Sequence, residues 1–152
     1  MMEHILKAIR SLDDVVELAP EASSEFPEIA WGDHFFYYSP DGTVPANTQP
    51  FATIVTKDYP DDTSSNLDPD GRWRLNIHVG SDKFSELIGE SSKTFTPRDF
   101  SEADVFLPHP VYGSLGWVAV VTPGSATLDT VIGVLRRAHS DARLRIERRS
   151  GD

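Results

Sequence analysis

The sequence predicts a single α+β domain, in which an antiparallel sheet of about four to five strands carries helices mainly on one face. The chain has 152 residues, the size of one ordinary domain, and 39% of them are hydrophobic, which is enough for one core. Its strand-like segments follow one another with short connections, which favours antiparallel pairing. We find no internal repeat, low-complexity tract or linker, so we assign residues 1–152 to one domain.

A helix and three strands are predicted in the first part of the chain. Apolar residues recur at helical spacing over residues 5–12, and residues 13–18 indicate a turn followed by a short strand. Residues 28–42 indicate a strand rich in aromatic residues that ends in a Pro-Asp-Gly turn. Residues 50–57 form the next strand, with proline at the tolerated first position. Both faces of the 28–42 strand carry aromatic side chains, so one face must be partly covered by a helix or a ligand.

The second part of the chain is predicted to contain two more strands and two helices. Residues 72–79 alternate most cleanly, with apolar side chains at odd-numbered positions and polar ones at even-numbered positions. A short helix follows over residues 81–89, and residues 90–110 are irregular and interrupted by prolines. Residues 116–121 form the last strand, and a long helix with one apolar stripe begins near Thr127.

Charge is distributed unevenly along the chain. The net charge is −10, with 14 Lys and Arg against 24 Asp and Glu, and such a surface repels phosphates and disfavours nucleic-acid binding. Six arginines nevertheless cluster near the C-terminal end: Arg136, Arg137, Arg143, Arg145, Arg148 and Arg149. These cations could complement the negative end of a helix dipole, or they could begin a DNA-binding surface.

The composition also bears on the compartment of the protein. Cysteine is absent, which excludes disulfides, thiolate metal ligands and a cysteine nucleophile. The first residues include an acid and no long apolar run, so we expect no secretory signal. The longest uninterrupted apolar stretch, residues 117–121, is far shorter than the roughly 20 residues of a membrane span. We therefore expect a cytoplasmic protein without a membrane partner.

The five histidines give a metal site little support. None stands in an H-x₃-H or HExxH arrangement. His34 and His78 fall on predicted strands and could share a sheet face with Asp33 nearby, which makes these three residues weak metal candidates. No G-x-S-x-G elbow or glycine-rich phosphate loop is present. We predict no cofactor and assign no catalytic residue, and an enzyme with a His/Asp or metal centre stays an alternative.

The stretch HPVYG, residues 109–113, raises the question of a functional loop. Its proline and glycine account for it as a turn, since a residue before proline favours extended backbone and glycine adopts conformations that other residues avoid. In the functional alternative, His109 and Tyr112 line a pocket beside Trp117 and Trp31, because loops fixed onto sheet edges are common binding sites.

Four blocks of the sequence resemble a bacterial domain of unknown function that is common in high-GC Gram-positives. The blocks are FPEIAWGDHFFYYSPDG, QPFATIVTKDYPDDTSS, WRLNIHVG and HPVYGSLGWVAVVTPG. A more distant similarity, carried by WGDHFF, RLNI and residues 116–145, is to the YjbR/MmcQ-like proteins. That similarity implies an α+β fold with an antiparallel sheet, and DNA binding has been suggested for the superfamily. The net charge of −10 departs from what DNA binding requires.

The leading hypothesis from the sequence is a small binding module for a small molecule or a protein partner. Aromatic residues on both faces of a short sheet favour a concave site of this kind. Its walls are predicted to be Trp31, Tyr112 and Trp117, and its polar candidates are His109, Lys57 and Arg74. A DNA-associated protein that uses the C-terminal arginines is the first alternative, and the enzyme is the second.

Overall fold

The three helices and five of the six strands overlap the segments that the sequence predicts for them. The strand predicted over residues 28–42 is confined to residues 34–38, and residues 28–30 form a 3₁₀ helix instead. A computed structural model describes residues 1–150. The helices are α1 (Met2–Arg10), α2 (Gly80–Ile88) and α3 (Leu128–Ser150). The strands are β1 (Val15–Leu18), β2 (His34–Tyr38), β3 (Ala52–Val55), β4 (Arg74–His78), β5 (Leu107–Pro108) and β6 (Trp117–Val121). Two short 3₁₀ helices, Glu28–Ala30 and Gly113–Leu115, lie in the connecting loops.

The six strands form one sheet in the order β1-β2-β3-β4-β6-β5, and every neighbouring pair is antiparallel. The predicted α+β class with an antiparallel sheet is confirmed. The predicted number of four to five strands is wrong, because the described residues form six. The additional strand is β5, which has only two residues and lies in a segment predicted to be irregular. Two residues are too few to show an alternating pattern, so this strand left no signal in the sequence.

One face of the sheet is apolar and packs against the helices. The register pairs Ile54 with Leu75, and paired residues project to the same side of a sheet. Side chains of all three helices join this core, including Ile5 and Ile9 of α1, Phe84 of α2 and the apolar stripe of α3. A fully buried Leu or Ile side chain stabilises the fold by about 1.5–3 kcal/mol, so this face supplies much of the stability.

The opposite face carries the alternate side chains of the same strands. Phe35 and Tyr37 of β2, Thr53 of β3, and Arg74 and Asn76 of β4 all project from it. The three helices pack against the other side, and this face is bordered by loops instead. Within residues 1–150, none of the helices has the length and apolar character that crossing a membrane requires.

Candidate functional site: a cavity on the loop-bordered face

A cavity of about 790 Å³ lies over the face of the sheet that the helices leave uncovered. Four strands form its floor, and the loops before β2, β3 and β6 and the loop after β3 form its rim. The floor and walls include Phe35, Tyr37, Thr53, Val55, Arg74, Asn76, His78, His109 and Trp117. Cavities that hold small molecules commonly have about 300–1,000 Å³, so this one has the size of a ligand site.

Arg74 is the centre of the cavity floor. Its side chain is only 2% exposed, although it carries a full positive charge. Asp62 binds it with both carboxylate oxygens, at 3.0 Å from Nη1 and 2.6 Å from Nη2. Nη1 also donates to Ser65 Oγ at 2.9 Å, and Nε donates to Asn76 Oδ1 at 2.7 Å. The two-pronged contact matches the fork geometry of a guanidinium and compensates for part of the cost of burying its charge.

The polar network continues from Arg74 across the sheet. Asn76, two residues further along β4, donates from Nδ2 to Thr53 Oγ1 on β3 at 2.9 Å. Burial would raise the pKa of Asp62, but the hydrogen bonds and the charge of Arg74 outweigh that effect and hold this pKa below its usual value. The floor therefore contains a charged pair locked in place by neutral hydrogen-bonding groups.

His109 lies directly beside this pair and is 3% exposed. Its Nδ1 accepts hydrogen bonds from the backbone N–H groups of Val111 and Tyr112, both at 3.0 Å. Its Nε2 lies 3.2 Å from Arg74 Nη2. Burial first, and then the charge of Arg74, lower the pKa of His109 to about 3, so the ring is uncharged at neutral pH.

The loop that carries His109 is shaped by close backbone packing. Gly116 ends the 3₁₀ helix with φ of 85°, a conformation that favours glycine, and its carbonyl accepts from the N–H groups of Val79 and Gly80. A Cβ on Gly116 would lie 3.0 Å from the Cα of Gly80, so a side chain does not fit there without a shift. The entrance to β6 is thereby fixed against the start of α2.

Part of the rim of the cavity carries exposed apolar side chains. Tyr112 is 48% exposed and its ring centre lies 5.0 Å from that of His109, while Leu115 is 62% exposed. Ile29 and Val111 complete this set of exposed apolar side chains at the mouth. A polar floor below an apolar mouth can orient a molecule that is mostly hydrophobic.

The structure brings together four of the six residues that the sequence proposed for binding. His109, Tyr112, Trp117 and Arg74 all line the cavity. The His109 ring centre is 6.5 Å from that of Trp117, so the HPVYG loop and β6 meet there. The structure therefore places the two polar aromatic residues of the loop, His109 and Tyr112, on one surface of the cavity.

Trp31 and Lys57, the other two candidates, lie at a separate cluster around Asp33. Lys57 Nζ donates to Asp33 Oδ1 at 3.0 Å and to the Trp31 carbonyl at 2.8 Å. Thr56 donates to the same carboxylate from its backbone and its hydroxyl, and Tyr59 donates through its hydroxyl. Asp33 is fully buried and these donors satisfy it, so Lys57 holds this loop in place and does not face the cavity.

The three weak metal candidates do not meet. His34 pairs in register with Ile54 and projects to the helix-covered face, where its Nδ1 lies 2.7 Å from Glu17 Oε2. His78 lines the cavity on the opposite face, and Asp33 is occupied by its own cluster. The expected shared face of His34 and His78 therefore does not form. Within residues 1–150, no three His, Asp or Glu residues are grouped so that they could hold a metal ion.

Sequence reasoning missed several residues of the network. Asp62 and Ser65 lie in an acidic loop with no regular pattern, so nothing in the sequence indicated that they reach Arg74. Asn76 and Thr53 could have been found, because alternation along β4 and β3 places them on the face of Arg74. Pairing between distant segments is the information that one sequence lacks.

The C-terminal arginines lie on α3, apart from the cavity. Arg137 and Arg143 are within 4 Å of the acids one turn further on, Asp141 and Glu147, at 3.4 and 3.7 Å. Such exposed pairs contribute little to stability, about 0.3–0.5 kcal/mol each. The positive charge of this helix face is therefore partly balanced within the helix itself.

Comparison with known proteins yields one family. Residues 1–151 match a family described as a family of unknown function (DUF6194). No curated protein and no solved structure matches the chain.

Proposed function

We propose that this chain, which belongs to the DUF6194 family, is a binding module that holds a small and largely apolar molecule in the cavity. The observation that carries this proposal is the 790 Å³ cavity itself, with an aromatic wall, an exposed apolar mouth and a fixed polar floor. Sites for small molecules typically combine such apolar walls with a few well-placed polar groups.

Preorganisation of the floor supports a ligand site over a simple packing defect. Arg74 is held by Asp62, Ser65 and Asn76, so its guanidinium does not need to reorient when a molecule enters. A binding group that is already fixed avoids the entropy cost of ordering side chains on association. An empty region of the core needs no charged network, and burying one there would carry a cost without a benefit.

A small molecule fits this site better than a protein partner does. The polar groups lie at the bottom of the cavity, where Arg74 and His109 are 2% and 3% exposed. The surface of a folded protein would contact exposed rim residues such as Leu115 and Tyr112, but it would not reach this floor. A protein that inserted one side chain into the cavity would pass the same mouth residues, so the variant Leu115→Arg would weaken its binding too.

Two finer expectations are part of the proposal. The resemblance to the YjbR-like proteins implies a certain order of elements: a helix, strands, a strand followed by a short helix, and a closing strand and helix. The order α1, β2, β4, α2, β6, α3 agrees with it and supports a YjbR-like arrangement. The absence of cysteine supports a cytoplasmic location.

Titration with indane, an uncharged apolar probe, tests the proposal by ¹H–¹⁵N NMR. We expect saturable shifts in the amides of β2, β4 and the loop 109–116, because these segments surround the cavity. The variant Leu115→Arg places a charge at the mouth and should weaken binding. Leu144→Arg is the matched control, because Leu144 is also an exposed leucine but lies on α3. The absence of saturable shifts in the wild type would contradict the proposal. An equal loss of indane affinity in Leu115→Arg and Leu144→Arg would contradict it as well.

A further inference from the structure

Two buried hydrogen-bond donors of the cavity floor face each other and lack an acceptor. His109 Nδ1 accepts two backbone N–H groups, so it carries no proton. The ring is uncharged at neutral pH, because burial and the charge of Arg74 lower its pKa. Its single proton must therefore be on Nε2, which lies 3.2 Å from Arg74 Nη2. A guanidinium has no acceptor, so this contact joins a donor to a donor.

The donors of Arg74 lead to the same result. A guanidinium has five N–H groups. Four of them are directed to Asn76, Ser65 and the two carboxylate oxygens of Asp62. The fifth, on Nη2, is the one that faces His109 Nε2. Arg74 Nη2–H and His109 Nε2–H therefore have no acceptor in the protein, although both side chains are at most 3% exposed. An atom of a molecule in the cavity can accept from both.

The charge around these donors selects among possible acceptors. Arg74 is neutralised by Asp62, and Asp61 adds a second carboxylate to the cavity wall. His78 also lines the cavity, and burial first, then the charge of Arg145, lower its pKa, which disfavours its charged form. An anionic ligand would meet one cation and two carboxylates, whereas an uncharged acceptor would not be repelled.

We propose that the cavity recognises an uncharged carbonyl compound whose oxygen accepts from His109 Nε2 and Arg74 Nη2 together. A carbonyl oxygen has two lone pairs and can accept from both donors at once. The apolar remainder of the molecule then lies against the aromatic wall formed by Trp117, Phe35 and Tyr37. This inference rests on the proposed function, since it names the class of molecule that the same cavity takes.

The first test is the position of the ring proton in the wild-type chain. Long-range ¹H–¹⁵N NMR of the imidazole should show His109 with Nε2 protonated and Nδ1 bare from pH 5 to pH 8. Addition of 1-indanone should shift the Nε2–H resonance, and addition of indane should leave it nearly unchanged. A proton on Nδ1, or a charged ring in this range, would overturn the inference.

The second test uses His109→Asn, which removes one donor and keeps the loop. An asparagine Oδ1 can still accept the N–H groups of residues 111 and 112, as it does in Asx turns. One hydrogen bond of ordinary strength corresponds to about a tenfold change in Kd. Both probes lose the contact with the imidazole ring, but only 1-indanone also loses a hydrogen bond, so we expect His109→Asn to raise the Kd of 1-indanone about tenfold more than it raises the Kd of indane.

Three probes, indane, 1-indanone and indane-1-carboxylate, separate this inference from the proposed function. If neither indane nor 1-indanone binds the wild type, both are overturned. If both bind and His109→Asn affects them equally, the carbonyl inference fails while the binding module stands. Tighter binding of indane-1-carboxylate than of 1-indanone would likewise overturn it, because it would show that the floor prefers an anion.

Discussion

Arg74 and Leu75 are neighbours on β4 and both are almost fully buried, yet they lie on opposite faces of the sheet. Leu75 packs among apolar side chains of the helices and the sheet. Arg74 is surrounded by Asp62, Asn76 and His109. Burial on the helix-covered face is favourable for each side chain by itself. Burial on the cavity face is tolerated because Asp62, Ser65 and Asn76 compensate for the buried charge of Arg74.

The two faces should therefore respond differently to substitution. Removing an apolar side chain leaves a void but no uncompensated charge, and the cost depends on how far the neighbours relax. Removing one member of the polar network leaves its partner buried without compensation. The cavity face contributes a specific arrangement of donors rather than stability, which is what a binding surface requires.

The largest expected effect is that of Asp62→Ala. It leaves the buried guanidinium of Arg74 without its carboxylate, and we expect a loss of about 3–5 kcal/mol in the free energy of unfolding. Urea denaturation measures this loss, with Leu75→Ala as the reference from the other face, expected at about 2–5 kcal/mol.

The double variant Asp62→Leu/Arg74→Met distinguishes a network from independent contacts. It removes both charges, so it should be more stable than Asp62→Ala, although it changes two buried residues. The free energy of unfolding that the double variant loses should be smaller than the sum of the losses of Asp62→Leu and Arg74→Met alone. Equality of the two would contradict the comparison of the two faces.

The next effect is a pH dependence that belongs to the cavity face. The pKa of His109 is lowered to about 3 in the folded chain, against about 6.5 for an unperturbed histidine. Between these values the unfolded chain binds a proton that the folded chain does not, so stability falls as the pH is lowered through this window. The loss approaches about 1.4 kcal/mol per pH unit.

Urea denaturation at pH 7, 6 and 5 measures this contribution as the difference between the wild type and His109→Asn. The variant lacks the titrating ring, so its stability should fall less across this range, while the carboxylates contribute equally to both chains. Parallel pH profiles of the two chains would show that His109 is not held uncharged.

The boundary between the two faces gives a third, smaller effect. Gly116 enters β6 with positive φ and packs against Gly80, so Gly116→Ala combines an unfavourable conformation with a close contact. We expect a loss of about 1–3 kcal/mol by thermal or urea unfolding. Gly133→Ala is the matched control: no neighbouring atom obstructs its Cβ, and alanine favours a helix by about 0.5–1 kcal/mol. Equal effects of the two changes would contradict the close packing at Gly116.

The sequence predicted the two faces better than it predicted the site. Alternation along residues 72–79 placed Leu75 and Arg74 on opposite sides of the sheet, because side-chain direction in a strand is a local property. The aromatic residues on both faces of β2 indicated that one face must be partly covered by a helix or a ligand, and the helices cover the face of Phe36 and Tyr38. The partners of Arg74 were not predictable, since Asp62 approaches it through a loop whose path depends on tertiary contacts. Trp31 and Lys57 were assigned to the pocket for their chemistry alone, and chemistry without position did not reveal Asp33 as their partner.

The smallest effect concerns a polar contact on which the apolar face depends. Asp104 lies before β5 and binds the start of α3, accepting from the N–H groups of Gly124, Ala126 and Thr127 and from the Thr127 hydroxyl. The Thr127 hydroxyl is the largest cause of a lowered pKa at Asp104; burial opposes it, and the backbone donors add to it. A side chain that caps a helix in this way contributes about 1 kcal/mol.

Because the folded pKa of Asp104 lies below its unfolded value, its stabilisation is present above an unfolded pKa of about 3.9 and is lost as the pH falls through the folded value. Asp104→Asn keeps the shape of the side chain but not the charge. We expect it to be less stable than the wild type at pH 7, and we expect the difference to shrink near pH 3 and below. A difference that stays constant from pH 7 to pH 2 in urea denaturation would mean that the charge at this cap contributes nothing.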